Sequence, residues 1–174
     1  CSRNVKLVLS SLNSMFEHLI ASLKSYASLT DEELKDFISK TESQVFSKGE
    51  TLLETGAVCM SWAFVTKGSF REYHLNENLD DVTTNLFVEN TWVLNHQSFT
   101  GQKPSKSKIE AFEKSEVLSI SIHSIHELIG KSPSYFPLGK ILEVEAERMQ
   151  SQASPEQKYL ELLNNKPAIL QKFP

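Results

Sequence analysis

The stretch Phe46-Ser47-Lys48-Gly49-Glu50-Thr51-Leu52-Leu53-Glu54-Thr55-Gly56 decides the fold class. Lys48-Gly49-Glu50 reads as a turn, two apolar leucines follow, and Gly56 marks a second reversal. Glycine enters the left-handed backbone region without a steric penalty, so both positions suit places where a strand must turn back. Such turn glycines report fold rather than chemistry.

Downstream, the same rhythm continues. Gly68, Asn76-Glu77-Asn78, Glu89-Asn90, Gly101 to Pro104 and Glu113-Lys114-Ser115 separate short runs rich in Val, Phe, Trp, Thr and Ile. Evenly spaced short strands of this kind predict a sandwich or jelly roll and not alternating strand–helix units. Leu118, Ile120 and Ile122 alternate with Ser119 and Ser121, which predicts a strand with one buried face.

Helical signals flank the strands. Phe16, Leu19, Ile20 and Leu23 predict an amphipathic helix over 15–26. Thr30 with Glu33 reads as a capping box opening a second helix, with Leu34, Phe37 and Ile38 inward. Ser124 with Glu127 predicts another capping box. Leu138, Ile141, Leu142 and Met149 predict a longer helix from about residue 135 to 150, and Ser154-Pro155 opens one more. Residues 1–14 lack such order and read as an extension, with Met15 a candidate natural start. The expected class is mainly β with flanking helices, a jelly roll followed by a long helix.

Composition narrows the function. The 174 residues are 40% hydrophobic and 23% charged, with net charge −4 and two cysteines, which is ordinary for a globular chain and too few cysteines for a disulfide framework. No run approaches a membrane span or a signal peptide, so a cytoplasmic protein is expected. Three arginines, Arg3, Arg71 and Arg148, make a poor phosphate-backbone grip. Lys103, Lys106 and Lys108 lack an aromatic partner and read as a solvated loop.

The order of elements, with the 46–56 string, Val65-Thr66-Lys67-Gly68-Ser69-Phe70-Arg71-Glu72-Tyr73 and Ile109-Glu110-Ala111-Phe112 before Ser115-Glu116-Val117-Leu118, resembles the catabolite activator protein and fumarate-nitrate regulator family. The resemblance covers roughly residues 29–150 and implies a cyclic nucleotide-binding-like jelly roll, a dimerisation helix and a following helix-turn-helix. It divides the chain into 1–28, an extension and helix; 29–133, the jelly-roll domain; 134–151, the dimerisation helix; and 152–174, a helical segment. In that family the ligand phosphate rests on a Gly-Glu-Leu string and is neutralised by an Arg. Here Leu94-Asn95 and Pro104-Ser105-Lys106-Ser107 fall over those strings, and no Arg lies between Arg71 and Arg148. A lysine does not reproduce the guanidinium fork.

The expectation is therefore an effector-sensing and dimerisation module of a transcription regulator, with a degenerate phosphate site and no cofactor; cyclic AMP binding in the usual way is not expected. The alternative is a ligand-independent dimerisation scaffold. Any effector is expected beside Phe64, Phe70, Arg71, Asn95, Ser105 and Lys106. A homodimer is expected through Leu138, Ile141, Leu142 and Met149, on the premise that a closed barrel cannot cover that stripe itself. DNA would be read only by a helix-turn-helix domain that this sequence does not include, and no membrane partner is implied. Trp62, Phe64, Phe70, Tyr73, Phe87 and Trp92 read mainly as core. His18, His74, His96, His123 and His126 are scattered without metal-ligand spacing, no nucleophile motif is present, and an enzyme is not expected.

Overall fold

A computed structural model describes residues 15–144. In chain order these form helix α1 (15–26), α2 (Asp31–Ser39), strands β1 (Glu42–Phe46), β2 (Thr51–Leu53), β3 (Ser61–Lys67), β4 (Ser69–Leu75), β5 (Asp81–Val88) and β6 (Trp92–Val93), the short helix α3 (His96–Gly101), β7 (Lys108–Ala111), β8 (Ser115–Ser121), α4 (Ile122–Lys131), a 3-10 helix (Pro133–Gly139), and α5, described over 140–144. The strands pair antiparallel in two four-stranded sheets, ordered β1-β8-β3-β6 and β2-β7-β4-β5. This is the jelly roll that the turn spacing predicts.

The hairpin between β3 and β4 shows why its turn needs glycine. Gly68 has φ +85°, and a Cβ there would lie 2.3 Å from Ser115 Oγ and 2.7 Å from the Lys114 carbonyl oxygen. Both the torsion and the close approach exclude a side chain.

The two sheets differ in what covers them. In the first, Trp62 and Phe64 of β3 sit opposite Ile120 and Leu118 of β8. Trp92 stacks edge-on to both aromatics and donates its indole N–H to Ser22 Oγ of α1, 3.0 Å away. That face therefore meets the helices. The intervening Ala63, Val65, Val93 and Val117 are buried as well and belong to the sandwich interior. Strand β8 thus has two buried faces, and Ser119 between Leu118 and Ile120 is itself buried. In the second sheet Leu53, Phe70, Phe87, Ile109 and Ala111 turn inward as apolar residues, while Arg71, Tyr73 and Glu110 form an outer polar face. Leu19, Leu23, Leu34, Phe37, Ile125 and Leu128 of the helices complete one continuous core with the sandwich.

The capping box at Thr30 and Glu33 forms as predicted, with both reciprocal hydrogen bonds present. The one expected at Ser124 does not. Helix α4 starts earlier, at Ile122, with Ser121 as N-cap accepting from the Ser124 amide, because the β8 strand runs straight into the helix and its last serine caps it. Glu127 instead pairs with Lys40 at 2.9 Å. The helix expected from about residue 135 begins as a 3-10 turn containing Pro137, whose missing N–H disfavours α-helical bonding there. Leu138 and Ile141 are buried within the subunit, at 4% and 1% exposure, so the premise that the chain cannot cover this stripe fails for these two. Leu142 is partly buried against the same core. Met149, the rest of the expected dimerisation helix and the Ser154-Pro155 helix lie outside the described residues.

Candidate functional site

A cleft of about 340 Å³ opens at one end of the sandwich, lined by His74, Thr84, Asn95, Gln97, Ser98 and the 103–107 loop. Three elements build it. Strand β4 enters with the inward parity of Phe70, Glu72 and His74, and α3 supplies Asn95 and Ser98. The third is the 103–107 loop, which is locked to the turn after β2 by Gly56 N–H donating to the Ser105 carbonyl and Ser105 N–H donating to the Ala57 carbonyl, each 2.8 Å.

The floor is a closed hydrogen-bond network. Asn95 caps α3, its Oδ1 accepting from the Ser98 amide at 2.8 Å. Its Nδ2 donates to Glu72 Oε1 at 2.6 Å and to Ser107 Oγ at 3.0 Å. Ser107 Oγ donates to the same carboxylate oxygen. Ser98 Oγ accepts from the Cys59 amide at 2.8 Å and donates to the Lys103 carbonyl at 2.6 Å. Ser105 Oγ donates to the Ser107 carbonyl at 2.7 Å. Glu72 is 1% exposed. A buried carboxylate needs charge-assisted donors, and Asn95 and Ser107 provide them. Burial pushes the Cys59 thiol up from its usual range, and the nearby Glu72 charge adds to that shift.

Of the six residues expected to contact an effector, the structure brings together Asn95, Ser105 and Lys106. The other three are elsewhere. Phe64 points to the helical layer on the far side of its sheet, edge-on to Trp92 at 5.2 Å. Phe70 is fully buried against Phe46 in the interior. Arg71 faces out of the second sheet, where Nη2 meets Glu110 at 2.8 Å and Asp81 at 3.2 Å and the guanidinium lies 4.2 Å over the Tyr73 ring. Burial opposes its charged form, but the Glu110 hydrogen bond and charge outweigh burial and hold its pKa above the usual value. Lys106 is exposed at the rim.

Glu72, Ser98 and Ser107 were not anticipated. A signal for Glu72 existed: residues two apart on a strand share a face, so an inward Phe70 selects Glu72 and excludes Arg71. Nothing in the sequence alone marks Ser98 or Ser107. Among the described residues, no group of three or more His, Cys, Asp or Glu is placed to hold a metal ion, and no helix is long and apolar enough to cross a membrane.

A sandwich of this strand order with a short helix beside a polar cleft is a jelly roll of the cyclic nucleotide-binding type, and the family model for the cyclic nucleotide-binding domain matches residues 43–132, more than half the chain. The chain belongs to the cyclic nucleotide-binding domain family. No curated protein sequence matches it. Among solved structures it is similar to a cyclic nucleotide-binding domain from Methylobacillus flagellatus (TM-score 0.68, 13% identity, 81% of this chain and 83% of that one). It also resembles the Thermus thermophilus catabolite activator protein (TM-score 0.58, 16% identity, 83% of this chain), of which it spans 61%. A third is the regulatory subunit of a cAMP-independent protein kinase A from Trypanosoma cruzi bound to guanosine (TM-score 0.60, 14% identity, 89% of this chain and 52% of that one). At these identities the likeness is one of fold.

Proposed function

We propose that the chain is the effector-sensing module of a transcription regulator whose cleft has exchanged a cyclic nucleotide for an uncharged polar effector. The observation that carries this reading is Glu72: a buried carboxylate under the cleft floor, bound by Asn95 and Ser107, with no guanidinium among the cleft residues. A phosphodiester entering here would meet a like charge, and the amide of Ser98, the third residue of α3, is already taken by Asn95 Oδ1. Each lost charge-assisted bond costs about 1.5–3 kcal/mol, so two losses take about 3–6 kcal/mol from the ~8 kcal/mol of micromolar binding and move it toward the millimolar range. Hydroxyl-rich neutral molecules suit the serine, threonine, asparagine, glutamine and histidine lining, whose two cations, Lys103 and Lys106, are exposed to water. The trypanosomal regulatory subunit bound to guanosine, a nucleoside, is a same-fold case of a ligand without phosphate.

The regulator part of the reading includes a homodimer whose seam takes in Leu142, since Leu138 and Ile141 serve the subunit's own core. Replacing Leu142 by Glu is expected to give folded monomers in sedimentation; an unchanged dimer, or a wild type that is monomeric, overturns this part.

The test of the effector class is a thermal-shift and calorimetric series with cyclic AMP, cyclic GMP, adenosine and guanosine, because a ligand selective for the folded state raises its stability. Nucleosides are expected to raise Tm and cyclic nucleotides to leave it unchanged. Low-micromolar cyclic AMP binding overturns the proposal. No response to any nucleoside favours the ligand-independent scaffold.

A further inference from the structure

The floor of the polar cleft leaves a ligand no side-chain donor. Both hydrogens of the Asn95 amide are spent, on Glu72 and on Ser107. The hydroxyl of Ser98 is given to the Lys103 carbonyl, that of Ser105 to the Ser107 carbonyl and that of Ser107 to Glu72. Thr84 Oγ1 donates to the Glu72 carbonyl at 3.3 Å. A hydroxyl carries one hydrogen and an amide nitrogen two, so these residues keep acceptor capacity only.

Four lining side chains stand outside this network. His74, Gln97, Lys103 and Lys106 make no side-chain hydrogen bond or ion pair among the described residues. His74 comes from β4, Gln97 from α3 and the lysines from the 103–107 loop. The lysines are exposed, and an ammonium is too strongly hydrated to gain much from a neutral acceptor. Imidazole and carboxamide are planar and each carries a donor and an acceptor, so they suit the edge of a flat heterocycle. The backbone is shaped here as well. The β4–β5 ladder shifts register between Glu72 and Tyr73, which makes Thr84 the extra residue of a bulge beside the cleft. Bulges bend a strand and re-aim side chains next to binding sites.

We propose that His74 and Gln97 are the specificity-determining residues of the cleft, donating from β4 and α3 to carbonyl or ring-nitrogen acceptors of an uncharged planar heterocycle, while the ligand's own hydroxyls donate to the oxygens of the floor. This inference rests on the reading of the cleft as a site for an uncharged polar effector and adds which residues read it. It also moves recognition away from Asn95 and Ser105, whose hydrogen-bonding groups hold the floor together.

The probes are guanosine and adenosine, with methyl β-D-ribofuranoside as the sugar alone, titrated into the full chain. Nitrogen–proton spectra follow the His74 ring and the Gln97 carboxamide, assigned by His74→Gln and Gln97→Leu. A nucleoside is expected to shift both sets of signals and the riboside to leave them in place. His74→Ala and Gln97→Ala are each expected to weaken nucleoside binding in calorimetry about fivefold, the worth of one net hydrogen bond, and the double variant about twenty-five-fold. Because neither side chain has a partner to lose, Tm of the unliganded variants should match the wild type. A wild type that binds neither nucleoside overturns this proposal and the effector reading together. Nucleoside binding that leaves both sets of signals unmoved, that the riboside reproduces at them, or that the alanine variants keep at full affinity overturns this proposal alone.

Discussion

On one side of the six-residue helix α3 lies a cleft in which Glu72, Asn95, Ser98, Ser105 and Ser107 hold one another; on the other lies an apolar hollow of about 220 Å³ lined by Phe37, Trp62, Phe99, Ile125 and Leu128. The two sides are built from different strands: β4 and β5 supply the cleft, and β3 supplies the hollow. Residues of one parity on β3 face the helices and those of the other face the sandwich. The polar side is costly to build, since each member must find its partner, but once satisfied it is rigid and selective. The apolar side is held by buried area and close packing, so it contributes most of the stability and is sensitive to voids.

The sharpest way to break this comparison is to damage the apolar side. Phe64→Ala removes a fully buried ring between Trp92 and Leu118 and is expected to cost about 3–5 kcal/mol in denaturant unfolding. The order of ligand preferences in the cleft should survive. A loss below about 1 kcal/mol would show that the helical layer is not the main source of stability.

A smaller stability effect with a larger functional one is expected from Glu72→Gln. The amide keeps the shape, loses the charge and turns one donor toward donors, at a cost of about 1–3 kcal/mol. Relative affinity for cyclic nucleotides over nucleosides should rise in calorimetry. A selectivity ratio identical to the wild type would remove Glu72 from the account of specificity.

Asn95→Ala is expected to cost about 1–2 kcal/mol, since it removes the α3 cap and one donor to Glu72 together. Hydrogen exchange should quicken in α3 before it does in β3. If the two elements loosen equally, the cleft and the apolar layer are one cooperative unit.

The mildest tests lie in pH and at the rim. Burial pushes the Tyr135 phenol up to about 12 from its ordinary 10, with the nearby Asp36 and Glu33 charges adding to it. The folded state therefore keeps this proton longer than the unfolded chain, so its contribution is whole below pH 10 and is lost as pH rises toward 12. Phenolate absorbance should develop later for this tyrosine than in Tyr135→Phe difference spectra of the unfolded chain; coincident curves would contradict it. Lys106→Ala, at an exposed position, is expected to change stability by less than about 0.5 kcal/mol.

Much of the fold was legible because turns announce themselves locally. Gly49, Gly56 and Gly68 all have positive φ, and the 46–56 string folds as its residues suggest. The Thr30–Glu33 box was equally local. The site was half legible. Asn95, Ser105 and Lys106 could be placed by resemblance, whereas choosing adjacent Phe70 and Arg71 as joint contacts ignored that neighbours on a strand face opposite ways. Ser107 was out of reach, because its role exists only once β4 and the 103–107 loop are side by side. The helix start at Ile122 was misplaced for a related reason: Ser121 and Ser124 are both plausible caps in isolation, and only the end of β8 decides between them.

Glu33 has a wider consequence. Its carboxylate caps α2 through Thr30 and also accepts from Ser132 Oγ at 2.7 Å, while its carbonyl receives the Tyr135 hydroxyl. Hydrogen bonds to its charged form hold its pKa below the usual carboxylate value, with Ser132 the largest contributor. One residue thus fastens the start of the second helix to the segment that leads out of the sandwich, about a hundred positions later in the chain. Evolutionary drift at any of these positions alone would strand the others. Among relatives that keep this arrangement, Thr30, Glu33, Ser132 and Tyr135 should be inherited or exchanged as a set, and a family alignment in which they vary independently would show that the clasp is incidental to this sequence.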